Sequence, residues 1–264
     1  MTDALIFSLI VGVTAGLAAG YLGSLMVLEK MALVGDALSH VALPGLALGL
    51  LFHFEPILGG FAFLFVSTIV VWHLGRVSRL SFETLVGAMF TLALAIGILI
   101  TPEPDLLEAL FGNITNVTLM DMLMAVIISV LAISLTKMVY NKVVLSLISE
   151  ELATSTGVNV ARTNLLYLLL VSTVVAIGIK ITGTLLVGFL VVVPAAAARS
   201  VSSNLYRYTV LSAIFGAISS SSGVLLSSFL NLQGRTIPPG PLVVLSGIAI
   251  FAVALLTRWL AKVS

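Results

Sequence analysis

A chain of 264 residues that is 60% hydrophobic and only 9% charged, with a mean hydropathy of +1.24, lies far from soluble domains, where roughly 25% of residues are charged. A formal net charge of +1 excludes a nucleic-acid footprint, so no nucleic-acid partner is expected. The lack of cysteine excludes disulfides, thiolate metal sites and a cysteine nucleophile.

Nine apolar runs follow one another, at 4–27, 33–52, 57–75, 84–101, 119–140, 163–179, 183–198, 208–230 and 241–257, each near the ~20 residues that a bilayer core requires. They predict an all-α fold, a polytopic transmembrane helix bundle, with residues 1–264 forming a single transmembrane domain in the lipid bilayer. The first run lacks a basic n-region and exceeds a signal h-region in length, so it reads as a retained span. Gly12, Gly16 and Gly20 recur every four residues along it, and Gly45 and Gly49 repeat that spacing in the second run. Small residues so placed let helices approach closely in lipid. Beyond the second run, His53 and Glu55 read as a solvated turn, and His73 joins Trp72 and Arg76 in an interfacial belt. Glu103, Asp105 and Glu108 form an acidic loop after the fourth run, and Lys180 snorkels from the end of the sixth. The longest polar connection, 141–162, predicts a short helix along the membrane surface. The seventh run, interrupted by Gly183, Gly188 and Pro194, predicts a broken or partly re-entrant helix.

Charge orients the bundle. With the N-terminus outside and the C-terminus cytoplasmic, Lys30, Arg76, Arg79, Lys137, Lys142, Arg162, Arg199, Arg207, Arg258 and Lys262 all fall inside. Only Lys180 and Arg235 fall outside, as the positive-inside rule requires.

The second run holds the residues with chemistry. Asp36 and His40 are ionisable groups inside an otherwise apolar stretch, and such groups usually face a bundle interior and mark an ion or substrate path. On a helix they are i and i+4, on one face and about 6 Å apart along the axis. A carboxylate oxygen and a neutral imidazole nitrogen so placed reach one divalent cation. Pro44 has no N–H for the His40 carbonyl, so a kink is expected at the level of the imidazole. Ser39, between them, reads as a hydroxyl bonded to its own helix.

The stretch Glu29-Lys30-Met31-Ala32-Leu33-Val34-Gly35-Asp36-Ala37-Leu38-Ser39-His40-Val41-Ala42-Leu43-Pro44-Gly45 resembles the signature of permease subunits of the zinc/manganese/iron-type metal ABC importers, the ABC-3 family. Arg79-Leu80-Ser81-Phe82-Glu83-Thr84, Glu150-Glu151-Leu152-Ala153, Gly157-Val158-Asn159-Val160 and the segment from Thr182 to Arg199 resemble further elements of that family, in its order. The resemblance implies a type II, vitamin-B12-permease-like importer bundle in the plasma membrane. It implies a second permease copy as a homodimer, a separate ATP-binding subunit and an extracytoplasmic metal-binding protein. It places Asp36 and His40 on the path of a transported divalent metal (zinc, manganese or iron), with no permanently bound cofactor. Glu151, Gly157, Pro194 and Arg199 fall in elements that couple to the ATPase. Asn231 to Gly240 carries no acidic residue and adds Arg235, so the resemblance supplies no acidic ligand at an outer gate.

No Gly-x-x-x-x-Gly-Lys-Ser/Thr loop is present, so ATP hydrolysis is expected on another subunit, and no His-Glu-x-x-His suggests an intramembrane protease. Two rivals stand. A permease for iron-siderophore or corrinoid complexes shares the architecture but needs no Asp–His pair. An ion-coupled carrier or channel would work without an ATPase.

Overall fold

The computed structural model describes residues 2–78, 80–100, 117–184, 187–232 and 237–263. Arg79, the acidic loop of Glu103, Asp105 and Glu108, and Arg235 lie outside the described residues, as does the side chain of Lys180. The described chain is helical: α1 Thr2–Leu28, α2 Ala32–Val41, α3 Leu43–Leu51, α4 Pro56–Val77, α5 Phe82–Ile100, α6 Leu119–Ile148, α7 Glu150–Ser155, α8 Val160–Thr182, α9 Val187–Val201, α10 Leu205–Leu232 and α11 Pro239–Val263. Among the described residues, eight helical segments are long and apolar enough to span a bilayer, with α2 and α3 counted as one.

Local chemistry sets several boundaries. The second span breaks at Ala42, two residues before Pro44. That proline has no N–H for the His40 carbonyl and so removes one rung of the helix ladder, while Ala42 itself keeps a helical φ −72°, ψ −21°. Thr118 and Asp121 form a capping box at the start of α6, and Asn159 caps α8 by accepting from the Arg162 N–H at 3.0 Å. After α7, Gly157 takes φ +83°, and the Val158 N–H reaches the Ala153 carbonyl while the Gly157 N–H reaches that of Thr154. This is a Schellman stop, which requires a left-handed residue at the glycine position.

The 141–162 connection differs from its expectation. α6 has neither glycine nor proline from Leu119 to Ile148, so it continues as one 30-residue helix, about 45 Å long and well beyond the ~30 Å core. Only the six-residue α7 remains of the expected surface helix.

α1 and the α2–α3 span occupy the middle. Over the most apolar 18 residues of each span, 72% are buried in Ala32–Leu51 against 22% in α5, α6 and α11, which face outward. The glycine stripes serve close crossings: a Cβ at Gly16 would strike the Gly216 carbonyl of α10, and one at Gly45 would strike that of Gly59 in α4. Ser212 Oγ donates to the Gly20 carbonyl at 2.5 Å across the first crossing. In lipid, such packing and interhelical hydrogen bonding substitute for a hydrophobic driving force. α9 has 15 residues, about 22 Å, and is too short to span alone. It packs against α1, α2, α10 and α11.

Candidate metal path at the helix break

Asp36 and His40 lie one turn apart on α2. His40 is 7% exposed, its ring meets the edge of Phe90 at 5.2 Å between centroids, and its Nδ1 is buried without a hydrogen-bond partner. A buried polar atom left unmade costs about 1–3 kcal/mol, so a lone Nδ1 at this depth needs an explanation. A cation in transit would satisfy it.

The opposite wall is the break between α8 and α9. Gly183 takes φ 72°, ψ 172°, a backbone region that only glycine enters readily, and α8 ends there. Ser39 Oγ donates to the Thr184 carbonyl at 2.5 Å and to its own Asp36 carbonyl at 2.6 Å. Ser39 lies near the middle of the Ala32–Leu51 span, so the Gly183–Thr184 turn packs beside the interior of that span and not at its end. Irregular backbone survives there only when buried in protein or lining a cavity. Ser39 therefore does more than bond its own helix; it joins α2 to the break.

Gly188, in the first turn of α9, sits against Asp36: an added Cβ would overlap the Asp36 backbone and lie 2.6 Å from Oδ1. The first N–H groups of a helix lack intrahelical partners and form its positive end. The Asp36 carboxylate thus rests on the favourable pole of a short buried helix.

Among the described residues, no cluster of three or more His, Cys, Asp or Glu side chains forms a metal cage. The pair therefore offers two donors without a cage, a station that would pass an ion on rather than keep it.

The remaining candidates stand apart from this station. Glu151, on α7, and Gly157 are exposed, and α7 packs on α6 and α8. Arg199 is exposed in the last turn of α9. Pro194 is buried inside α9 rather than on a surface loop. His53 and Glu55 are exposed, as expected of a solvated turn. His73 is exposed beside Trp72, whose Nε1 donates to the Ala161 carbonyl at 3.1 Å and whose ring lies 5.1 Å from the Arg76 guanidinium.

Sequence reasoning missed Glu29, in the α1–α2 turn. Its Oε2 is buried without a partner, and burial pushes the carboxyl up to about 7. Because the folded pKa lies above the ordinary value of 4.5, stability is full below that value and is lost as pH rises toward 7, by about 3 kcal/mol in all. The unfolding temperature of the detergent-solubilised chain is expected to drop between about pH 5 and about pH 8. Glu29→Gln should flatten that dependence and be the more stable form at the upper end. An equally steep profile in both would refute the assignment.

The ABC 3 transport family model matches residues 1–258. The manganese transport system membrane protein MntC of Listeria monocytogenes serovar 1/2a is 31% identical over 253 residues, covering 94% of this chain and 89% of that protein. The high-affinity zinc uptake system membrane protein ZnuB of Buchnera aphidicola subsp. Schizaphis graminum is 29% identical over 241 residues, covering 89% and 90%. A solved structure, PsaBC from Streptococcus pneumoniae in complex with Fab, superposes with a TM-score of 0.81 at 26% identity, over 96% of this chain and 95% of that one. A family match over nearly the whole chain, on a bundle whose most buried span carries the ionisable pair, leads to one conclusion: this multi-pass protein of the plasma membrane, a transporter subunit and not itself an enzyme, belongs to the ABC 3 transport family.

Proposed function

We propose that this chain is the permease subunit of an ATP-driven importer that moves a divalent transition-metal ion, manganese, zinc or ferrous iron, inward by alternating access. The observation that carries the reading is the Asp36–His40 pair, a half-buried carboxylate one turn from a buried imidazole with an unpartnered Nδ1, beside the Gly183–Thr184 helix break. Carboxylate plus imidazole suits all three ions. Relatives named for manganese and zinc transport support the same class. A siderophore or corrinoid permease must clear a bulky complex, a poor match to a carboxylate pressed against Gly188.

Two copies of the chain form the path in this reading. A separate ATP-binding subunit docks on the cytoplasmic face, and an extracytoplasmic metal-binding protein delivers the ion. Glu151, Gly157 and Arg199 are exposed where the topology puts the cytoplasm, and they make the surface for the ATPase. Pro194, being buried, shapes α9 and transmits motion without touching that subunit.

Reconstitution tests the reading. Liposomes holding this chain alone should neither hydrolyse ATP nor take up metal, and both activities should appear when the ATP-binding subunit is added. Uptake by the chain alone would favour a carrier or channel. Topology is checked by single cysteines in this cysteine-free chain. Thr156→Cys and Ser203→Cys should react only from the cytoplasmic side and His53→Cys only from outside; the reverse pattern would invert the bundle.

A further inference from the structure

Thr184 is 0% exposed, and its Oγ1 has no hydrogen-bond partner. Buried threonines elsewhere in the bundle satisfy this atom locally: Thr68 and Thr136 donate to the carbonyl four residues back, at 2.8 Å and 2.7 Å. Thr184 sits in the turn between two helices and bonds no carbonyl in this way. Its own carbonyl is tied by Ser39 Oγ, the residue next to His40, whose Nδ1 is the other unpartnered buried atom of the station. Gly188, four residues on, contacts Asp36. The break therefore faces α2 along the stretch that carries Asp36, Ser39 and His40, and it brings a buried unused hydroxyl to that level.

We propose that Thr184 Oγ1 is the third donor of the Asp36–His40 station and that it biases the station toward Mn²⁺ over Zn²⁺. This rests on the metal-import reading given above. A third donor at this station has to be something other than His, Cys, Asp or Glu, since no third residue of those types joins the pair among the described residues. A hydroxyl oxygen beside a carboxylate makes an oxygen-rich set with a single imidazole and no thiolate. Harder ions such as Mn²⁺ tolerate that set better than Zn²⁺, which gains more from nitrogen and sulfur. Affinity alone favours Zn²⁺ at most sites, so discrimination must come from donor type and geometry.

The test uses the full importer in liposomes with Mn²⁺ and Zn²⁺ as competing probes. Thr184→Val keeps the shape and removes the hydroxyl; it should lower the Mn²⁺-to-Zn²⁺ uptake ratio about tenfold, the low end of what losing a group that supports a metal costs. Thr184→Ser should keep the parent ratio. A parent that prefers Zn²⁺, or a Thr184→Val ratio equal to the parent's, overturns the proposal. Should Thr184→Val carry neither ion, Thr184→Cys decides. In the purified, otherwise cysteine-free chain, added Cd²⁺ should give a cadmium–thiolate absorption that His40→Ala weakens; no such absorption overturns the proposal. Asp36→Asn is run alongside. If it transports like the parent, the metal-path reading fails as a whole; if it is inactive while Thr184→Val keeps the parent ratio, only the third donor falls.

Discussion

Asp36→Asn is expected to reduce metal uptake to background in an importer that still assembles. Asparagine matches aspartate in size and still hydrogen-bonds, so it keeps the contact with Gly188 and the polar end of α9. It removes only the charge. A divalent ion crossing a low-dielectric interior depends on that charge, because unpaired ions are far costlier there than unpaired dipoles. His40→Ala should have the same consequence by deleting the second donor one turn away. The comparison that decides is uptake against ATPase stimulation, with expression and insertion measured in parallel. If Asp36 served only to pack the bundle, Asn would be nearly silent and His40→Ala would appear as poor insertion. A stable Asp36→Asn importer working at the parent rate would remove the metal path from this site.

Gly188→Val should be nearly as damaging, although it changes no donor. The first added carbon already overlaps the Asp36 backbone and approaches Oδ1 to 2.6 Å, so the side chain must displace either α2 or the carboxylate. Overpacking of this kind costs about 1–3 kcal/mol. Uptake is expected to fall at least about tenfold, with Gly188→Ala intermediate. Gly87→Ala serves as the control, since nothing lies within 4 Å of a Cβ there. Full activity in Gly188→Val would mean that the close packing of α9 on Asp36 is irrelevant to transport.

Some of this was legible in the sequence and some was not, for physical reasons. Asp36 and His40 stood out because ionisable groups are conspicuous against hydrocarbon, and their spacing alone put them on one face. The break at Ala42 followed from Pro44, and the break before α9 from Gly183, whereas Gly188 and Pro194, which the sequence also suggested as interruptions, lie inside a continuous α9. The length of α6 was hidden because Asn141 and Lys142 resemble a loop in a hydropathy profile. A helix emerging into water has no reason to stop there without a glycine or proline. The glycine stripe of α1 announced a close contact but not its partner, Gly216. Gly188 beside Asp36, and Thr184 beside Ser39, left no local trace, because each contact joins residues far apart in the chain. Glu29 drew no notice in its turn between two spans, because the burial of its Oε2 is set by tertiary packing and not by its sequence neighbours.

The partnership of Asp36 with Gly188 also bears on how the protein is made. A lone aspartate at the centre of a membrane helix costs about 2.5–3.5 kcal/mol on insertion scales, and the Ala32–Leu51 segment carries His40 besides. The helix end that eases that burden belongs to α9, which leaves the ribosome long after the second span has been offered to the membrane. During that interval the second span lacks that neighbour, and α1, although already made, packs chiefly on the later α10 rather than on α2. Insertion of the second span, made before the helix end that faces its aspartate, is therefore expected to be the costly step in making this protein.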